Sequence, residues 1–139
     1  MAKKDYDFSG WATKANMLCS DGRTIRKGAF SGQDGARVPL VWNHNYSSPD
    51  NVIGHADLVD MDDGMYAYCS FNQSESARTA KIGVQHGDIT NLSIYANHLK
   101  QVGGDVLGGQ IKEVSLVLAG ANPGATIDNI AFAHGDGEA

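Results

Sequence analysis

Three polar residues in separate segments of this chain have the types that nucleophilic hydrolysis requires: His44, Ser93 and Glu113. A serine hydroxyl hardly ionises near neutral pH, so it needs a base that takes its proton as it attacks. A histidine can be that base, and a carboxylate can fix the histidine tautomer and stabilise the imidazolium that forms. Their wide separation along the chain is evidence neither for nor against a triad, because such triads are assembled from distant segments.

Each of these residues also has an ordinary structural interpretation. A histidine at the end of an apolar strand, such as His44, is commonly a hydrogen-bonded structural residue. Ser93 could be a solvated or backbone-bonded serine, and Glu113 could be an outward charge paired with Lys112 or Lys100. The local pattern alone therefore leaves the triad and these alternatives open.

Each candidate falls in a predicted strand, where side chains alternate between two faces. The stretch VPLVWNH (38–44) places His44 at the end of an apolar strand, on the face of Leu40 and Trp42. In DITNLSIYANHLK (88–100), Ser93 lies on the face opposite the apolar residues. In QIKEVSLVLAG (110–120), Glu113 and Ser115 share one face.

The rest of the chain indicates a mostly β domain with few helices, an α+β fold. Four Asp-Gly pairs mark turns, and residues 51–72 predict a hairpin with Asp-Asp-Gly at its tip. Residues 74–87 predict a helix that Ser74 caps and Gly87 ends. Residues 101–109 predict a loop, and the strand pattern is lost from residue 122 onward. Several strands around one helix favour a small closed or partly open β-barrel.

Composition limits the classes of protein to be considered. The chain has 139 residues, the length of one domain, with 42% apolar and 19% charged residues. Its net charge of −5 argues against nucleic acid as a partner. No apolar run approaches the roughly 20 residues of a membrane span, and the start lacks the apolar core of a signal peptide. Cys19 and Cys69 lack metal-binding spacing and favour free thiols, with a single disulfide as the alternative. His55 and Asp57 lack an evident third ligand, so we expect no metal and no other cofactor.

Seven segments occur in a characteristic order: GWATKAN, DGRTIRKGAF, VPLVWNHN, VIGHADL, DGMYAYCSFN, DITNLSIYAN and IKEVSLVLAGANPGATI. Together they resemble the tailed-phage (caudovirus) prohead serine proteases, which are capsid maturation enzymes. The fold of that family is similar to the herpesvirus assembly protease, or assemblin. The resemblance covers residues 10–127, although no single segment is decisive.

The resemblance implies a serine endopeptidase that cleaves scaffold and/or capsid proteins during phage prohead maturation. Its histidine maps to His44 as the base, and its nucleophile maps to Ser93. Glu113 is carried over as an acidic third member, where herpesvirus relatives place a second histidine, and Ser115 competes for a supporting role. Tyr95 stands where the family often has glycine, which affects the expected shape of the substrate groove.

The resemblance also implies a fold and an oxyanion site. The expected fold is a β-barrel of about seven strands flanked by helices, with residues 1–127 as the protease domain and 128–139 as a polar tail or linker. The glycine-rich stretch AGANPGA could supply backbone N–H groups to a developing oxyanion at Gly120, Ala121 or Asn122. A plain turn that ends the strand is the alternative interpretation of those three residues.

The implied substrates are phage scaffold and major capsid proteins, inside the assembling prohead in the host cytoplasm. A homodimer is compatible with the resemblance, since herpesvirus relatives act as dimers, whereas neither nucleic acid nor a membrane is an expected partner. Two alternatives remain: a catalytically silent assembly module, fused to a capsid protein in one version, and a β-barrel binding module. The distance between Ser93 Oγ and His44 Nε2 distinguishes the binding module from the enzyme.

Overall fold

Eight β-strands and one α-helix form the regular structure of residues 5–131, the part of the chain that the computed structural model describes. In chain order the elements are β1 (Phe8–Lys14), β2 (Thr24–Ile25), β3 (Arg37–Trp42), β4 (Val52–Met61), β5 (Gly64–Phe71), α1 (Glu75–His86), β6 (Asn91–Val102), β7 (Asp105–Val117) and β8 (Ile127–Ile130). Short 3-10 helices cover Ser31–Gln33 and Pro49–Asn51.

The strands form one sheet in the order β2-β7-β3-β4-β5-β1-β8, and β6 pairs with β7 outside that path. Neighbouring strands are antiparallel, except that β7 runs parallel to both β2 and β3. The sheet does not close, although the start of β6 meets the segment before β8 through an isolated bridge between Asn91 and Thr126. The mostly β prediction is confirmed in its partly open form. The sheet is not the closed barrel that was the other expectation, and the few helices expected are a single α-helix within residues 5–131.

Strand β7 fixes the part of the sheet that carries the candidate site. Its second half pairs with β3 on one side, where Val41 lies beside Ser115, and with β6 on the other, where Ser93 lies beside Ser115. Leu116 and Val114 in the same stretch are fully buried in the core. A strand that is bonded on both edges and packed from below is a rigid support for polar side chains on its other positions.

The helix α1 forms as predicted, because both of its ends are encoded locally. The Ala77 N–H donates to Ser74 Oγ at 3.1 Å, and Gly87 takes the left-handed conformation (φ 91°) that ends the helix. Gly83 lies inside the helix, where glycine costs about 1 kcal/mol relative to alanine. A Cβ at that position would lie 2.4 Å from Ile89 Cδ1, so the glycine allows Ile89 to pack closely on the helix.

Residues 101–109 were predicted to be a loop, and this prediction is wrong. They form the end of β6, a turn at Gly103-Gly104 and the start of β7. Gly103 has φ 59°, a left-handed value that suits a tight hairpin turn. Four glycines in this stretch (103, 104, 108 and 109) interrupt the apolar alternation, which is why the strands were not evident from the sequence pattern.

The first residues of the predicted polar tail, 128–130, lie in a strand. Residues 127–130 form β8, which pairs antiparallel with β1, and Ile127 and Ile130 pack against the core. Partial burial of these two isoleucines holds a short strand whose other two residues are exposed. The remainder of the predicted tail, 132–139, lies outside the described residues. Within residues 5–131, no helix is long and apolar enough to cross a membrane.

Candidate active site

His44 lies in a tight turn after β3 and not in the strand itself. The sequence analysis placed it in register with Leu40 and Trp42, but β3 ends at Trp42. Asn43 and His44 both have φ 55°, the left-handed region that non-glycine residues seldom adopt. Each such residue costs on the order of 1 kcal/mol or more, so the surrounding contacts must hold this turn in place.

Two hydrogen bonds of the turn attach it to β7. The Asn43 N–H donates to the Leu116 carbonyl at 2.9 Å, and the His44 N–H donates to Ser115 Oγ at 3.0 Å. Ser115 is fully buried, so its hydroxyl is a fixed acceptor. The turn therefore carries the His44 ring back over the face of β7 that bears Glu113.

Glu113 is buried, and both of its carboxylate oxygens are hydrogen-bonded. Oε2 accepts from His44 Nδ1 at 2.6 Å and from the Tyr46 hydroxyl at 2.6 Å. Oε1 accepts from Ser115 Oγ at 2.9 Å. Three donors on one carboxylate compensate for its removal from water, because bonds to an ionised acceptor are about twice as strong as neutral ones.

The bond to Glu113 determines which nitrogen of His44 is available for chemistry. With the proton of the neutral ring on Nδ1, directed at the carboxylate, Nε2 is left as an acceptor. The His44 side chain remains 36% exposed, whereas that of Glu113 is 4% exposed. A buried carboxylate behind a partly exposed imidazole is the arrangement in which Nε2 can accept a proton.

Ser93 lies on β6 directly opposite Ser115. Directly opposed residues of an antiparallel pair have Cβ atoms about 5 Å apart, so Ser93 neighbours the residue that binds both His44 and Glu113. Among residues 5–131, however, the Ser93 hydroxyl makes no hydrogen bond, either to His44 or to another group. The structure thus brings the four residues to one place without forming the serine–histidine bond.

A cleft adjoins Ser93 and is bordered by the segment that was predicted to bind an oxyanion. It encloses about 80 Å³ and is lined by Ser93, Phe30, Ile94, Ala121 and Asn122, among others. A cleft of this size can accept a small or medium side chain beside the serine.

Gly120 approaches β6 more closely than other residues could. A Cβ built on it would lie 2.9 Å from the Leu92 carbonyl oxygen and 3.8 Å from Ser93 Cβ. The next residues are anchored: the Ala121 carbonyl accepts from the Ser20 N–H at 2.8 Å. The Asn122 amide group donates to Thr13 Oγ1 at 3.0 Å and to the Lys14 carbonyl at 2.8 Å. The Asn122 side chain is therefore structural, and only the backbone of this segment is left to serve a substrate.

Tyr46 was missed by the sequence analysis, although it contacts the same Glu113 oxygen as His44. Burial of its hydroxyl, followed by the adjacent carboxylate, raises the pKa of Tyr46 well above its usual value, so the hydroxyl remains a donor. Its ring makes an edge-to-face contact with Tyr95, with centroids 6.4 Å apart. The sequence feature that could have indicated this role is its position two residues after His44, and that spacing alone is weak evidence.

Other acidic residues and histidines form pairs outside this site. Asp57 is held by Arg37, with 2.7 Å between Asp57 Oδ1 and Arg37 Nε, and His86 Nδ1 lies 2.9 Å from Asp88 Oδ2. Within residues 5–131, no group of three or more His, Cys, Asp or Glu side chains is arranged to hold a metal ion. The cysteines Cys19 and Cys69 are free and buried.

An open β-sheet that gathers a serine, a histidine and a buried carboxylate has the residue types of a serine hydrolase. The family model of the caudovirus prohead serine proteases matches residues 2–136, and the chain belongs to that family. No curated protein matches the chain.

The fold is also similar to that of a solved viral protease. KSHV protease, solved in complex with a hexapeptide phosphonate inhibitor, superposes with a TM-score of 0.59 at 14% sequence identity. The match covers 87% of this chain and 63% of that chain. At this identity the likeness shows the fold, which is thus that of a herpesvirus-type protease as expected.

Proposed function

We propose that this chain is a serine endopeptidase of prohead maturation, with Ser93 as nucleophile, His44 as general base and Glu113 as the orienting acid. The observation that carries the proposal is the 2.6 Å bond between His44 Nδ1 and buried Glu113, on the strand whose neighbour bears Ser93. A purely structural domain has no need of a partly exposed imidazole held by a buried carboxylate.

The proposed reaction begins when His44 Nε2 takes the proton of Ser93 Oγ as that oxygen attacks the scissile carbonyl. The electron pair of the carbonyl moves onto its oxygen, and backbone N–H groups of Gly120, Ala121 or Asn122 stabilise that charge. Each such donor contributes roughly 10²- to 10³-fold in rate. The imidazolium then protonates the leaving amine, an acyl-enzyme remains on Ser93, and water hydrolyses it by the same steps.

The missing Ser93–His44 hydrogen bond fits an unliganded site. Catalytic hydrogen bonds are often long or unformed without substrate and tighten in the complex. The side chain of Ser93 has no competing hydrogen bond among the described residues, so rotation toward Nε2 breaks no existing interaction. The residue before the scissile bond would lie in the cleft that Ser93 lines.

The proposed substrates are the scaffold and/or major capsid proteins of the phage, cleaved inside the prohead in the host cell. Co-expression of the chain with these proteins, followed by intact-mass analysis, tests this function. Discrete fragments with the native chain, and none with Ser93→Ala, are expected. Identical fragments with both chains would exclude Ser93 as nucleophile, and uncleaved proteins with both would favour a silent assembly module.

A further inference from the structure

We propose that Tyr46 is a positioning residue of the catalytic site, which holds the Glu113 carboxylate in place by donating its hydroxyl to Oε2, the oxygen that also accepts from His44. This inference rests on the proposed function, since it assigns a role within that reaction. The geometry that carries it is the convergence of two donors, His44 Nδ1 and Tyr46 Oη, each 2.6 Å from Glu113 Oε2.

The two donors come from one short segment. His44 and Tyr46 are two residues apart in the turn after β3, and both side chains reach the same carboxylate of β7. Without Tyr46, only Ser115 and His44 would bond this carboxylate, one on each oxygen. A carboxylate with a single partner on Oε2 can rotate, and the imidazole would move with it.

Tyr46 itself is held by the neighbouring strand. Its side chain is largely exposed (61%), so the core does not fix its ring. The ring instead meets that of Tyr95, which lies directly opposite Glu113 on β6. Tyr95 follows Ser93 by two residues, just as Tyr46 follows His44. The pair therefore links the segment that bears the base to the strand that bears the nucleophile.

The test compares Tyr46→Phe with Tyr68→Phe. Each variant keeps an aromatic ring and removes one hydroxyl. The Tyr46 hydroxyl bonds Glu113, whereas Tyr68 lies on β5, which β4 and β3 separate from β7. The probe is a serine-reactive diphenyl phosphonate, whose maximal rate of covalent labelling and half-saturating concentration are measured at one fixed pH. This readout needs no knowledge of the natural substrate, and thermal unfolding of each variant checks that it is folded.

For Tyr46→Phe we expect the maximal labelling rate to fall about tenfold, as for a lost bond to a charged group. The half-saturating concentration should stay unchanged, because Tyr46 does not line the cleft beside Ser93. Tyr68→Phe should keep the native rate and the native half-saturating concentration. A native rate in folded Tyr46→Phe, or a loss that lies in the half-saturating concentration alone, would overturn the positioning role alone. Failure of the native chain to label, or equal labelling of Ser93→Ala, would instead contradict the proposed function and this inference with it.

Discussion

Ser93 and Ser115 lie directly opposite each other across β6 and β7. Ser115 binds both the backbone of His44 and the carboxylate of Glu113, while Ser93 makes no hydrogen bond among residues 5–131. One serine of the pair is thus used to build the site, and the other is left free to react. This division supports the proposal that Ser93 is the nucleophile and Ser115 a structural residue.

Loss of the base should cost more activity than loss of the orienting acid. His44→Ala removes the proton acceptor, and we expect cleavage to fall by roughly 10⁴-fold or more. For Glu113→Ala the loss of cleavage activity should be about tenfold to a hundredfold smaller than for His44→Ala, because water can replace part of the carboxylate's role. Rates of scaffold cleavage by the two variants check this order. Equal or reversed losses would contradict the assigned roles, and Glu75→Ala, which changes an exposed helix carboxylate, serves as the control.

Ser115→Ala should lower the free energy of unfolding of the protein and also slow its reaction. The change leaves the His44 N–H without its acceptor and Glu113 Oε1 without its donor. An unsatisfied buried polar group costs about 1–3 kcal/mol, which a urea unfolding curve would detect. The same substitution at Ser76, whose hydroxyl lies outside this network, should change the free energy of unfolding by less than about 0.5 kcal/mol. Matching values for the two variants would mean that Ser115 does not hold the turn.

Gly120→Ala should slow the reaction by shifting the segment proposed to bind the oxyanion. Its Cβ would come within 2.9 Å of the Leu92 carbonyl, so the backbone of residues 120–122 must move away from Ser93. Displacing one oxyanion donor costs up to about 10²- to 10³-fold, and we expect phosphonate labelling to slow by at least about tenfold. Gly32→Ala, where nothing lies within 4 Å of the added Cβ, is the matched control. If Gly120→Ala were labelled at the native rate, the oxyanion would have to bind elsewhere.

Features encoded within a few residues were predictable from the sequence. The caps of α1 at Ser74 and Gly87 follow from residue type, and the shared face of Glu113 and Ser115 follows from strand alternation. These need no knowledge of the tertiary structure, because backbone geometry alone sets them.

Features that depend on tertiary contacts were not predictable in this way. The left-handed turn at Asn43 and His44 is held by hydrogen bonds to Leu116 and Ser115, which lie far along the chain. The contact between Tyr46 and Glu113 exists only because of that turn. Strand alternation therefore identified the residues of β7 but placed the histidine in the wrong local conformation.

The central claim is that Ser93 is an activated nucleophile, and intact-mass analysis after exposure to a serine-reactive phosphonate tests it most directly. The native chain should gain one adduct, because His44 and Glu113 activate that hydroxyl, and Ser93→Ala should gain none. Thermal unfolding of both chains confirms that the variant keeps its fold. An equal adduct on Ser93→Ala, or no adduct on the native chain, would contradict the account.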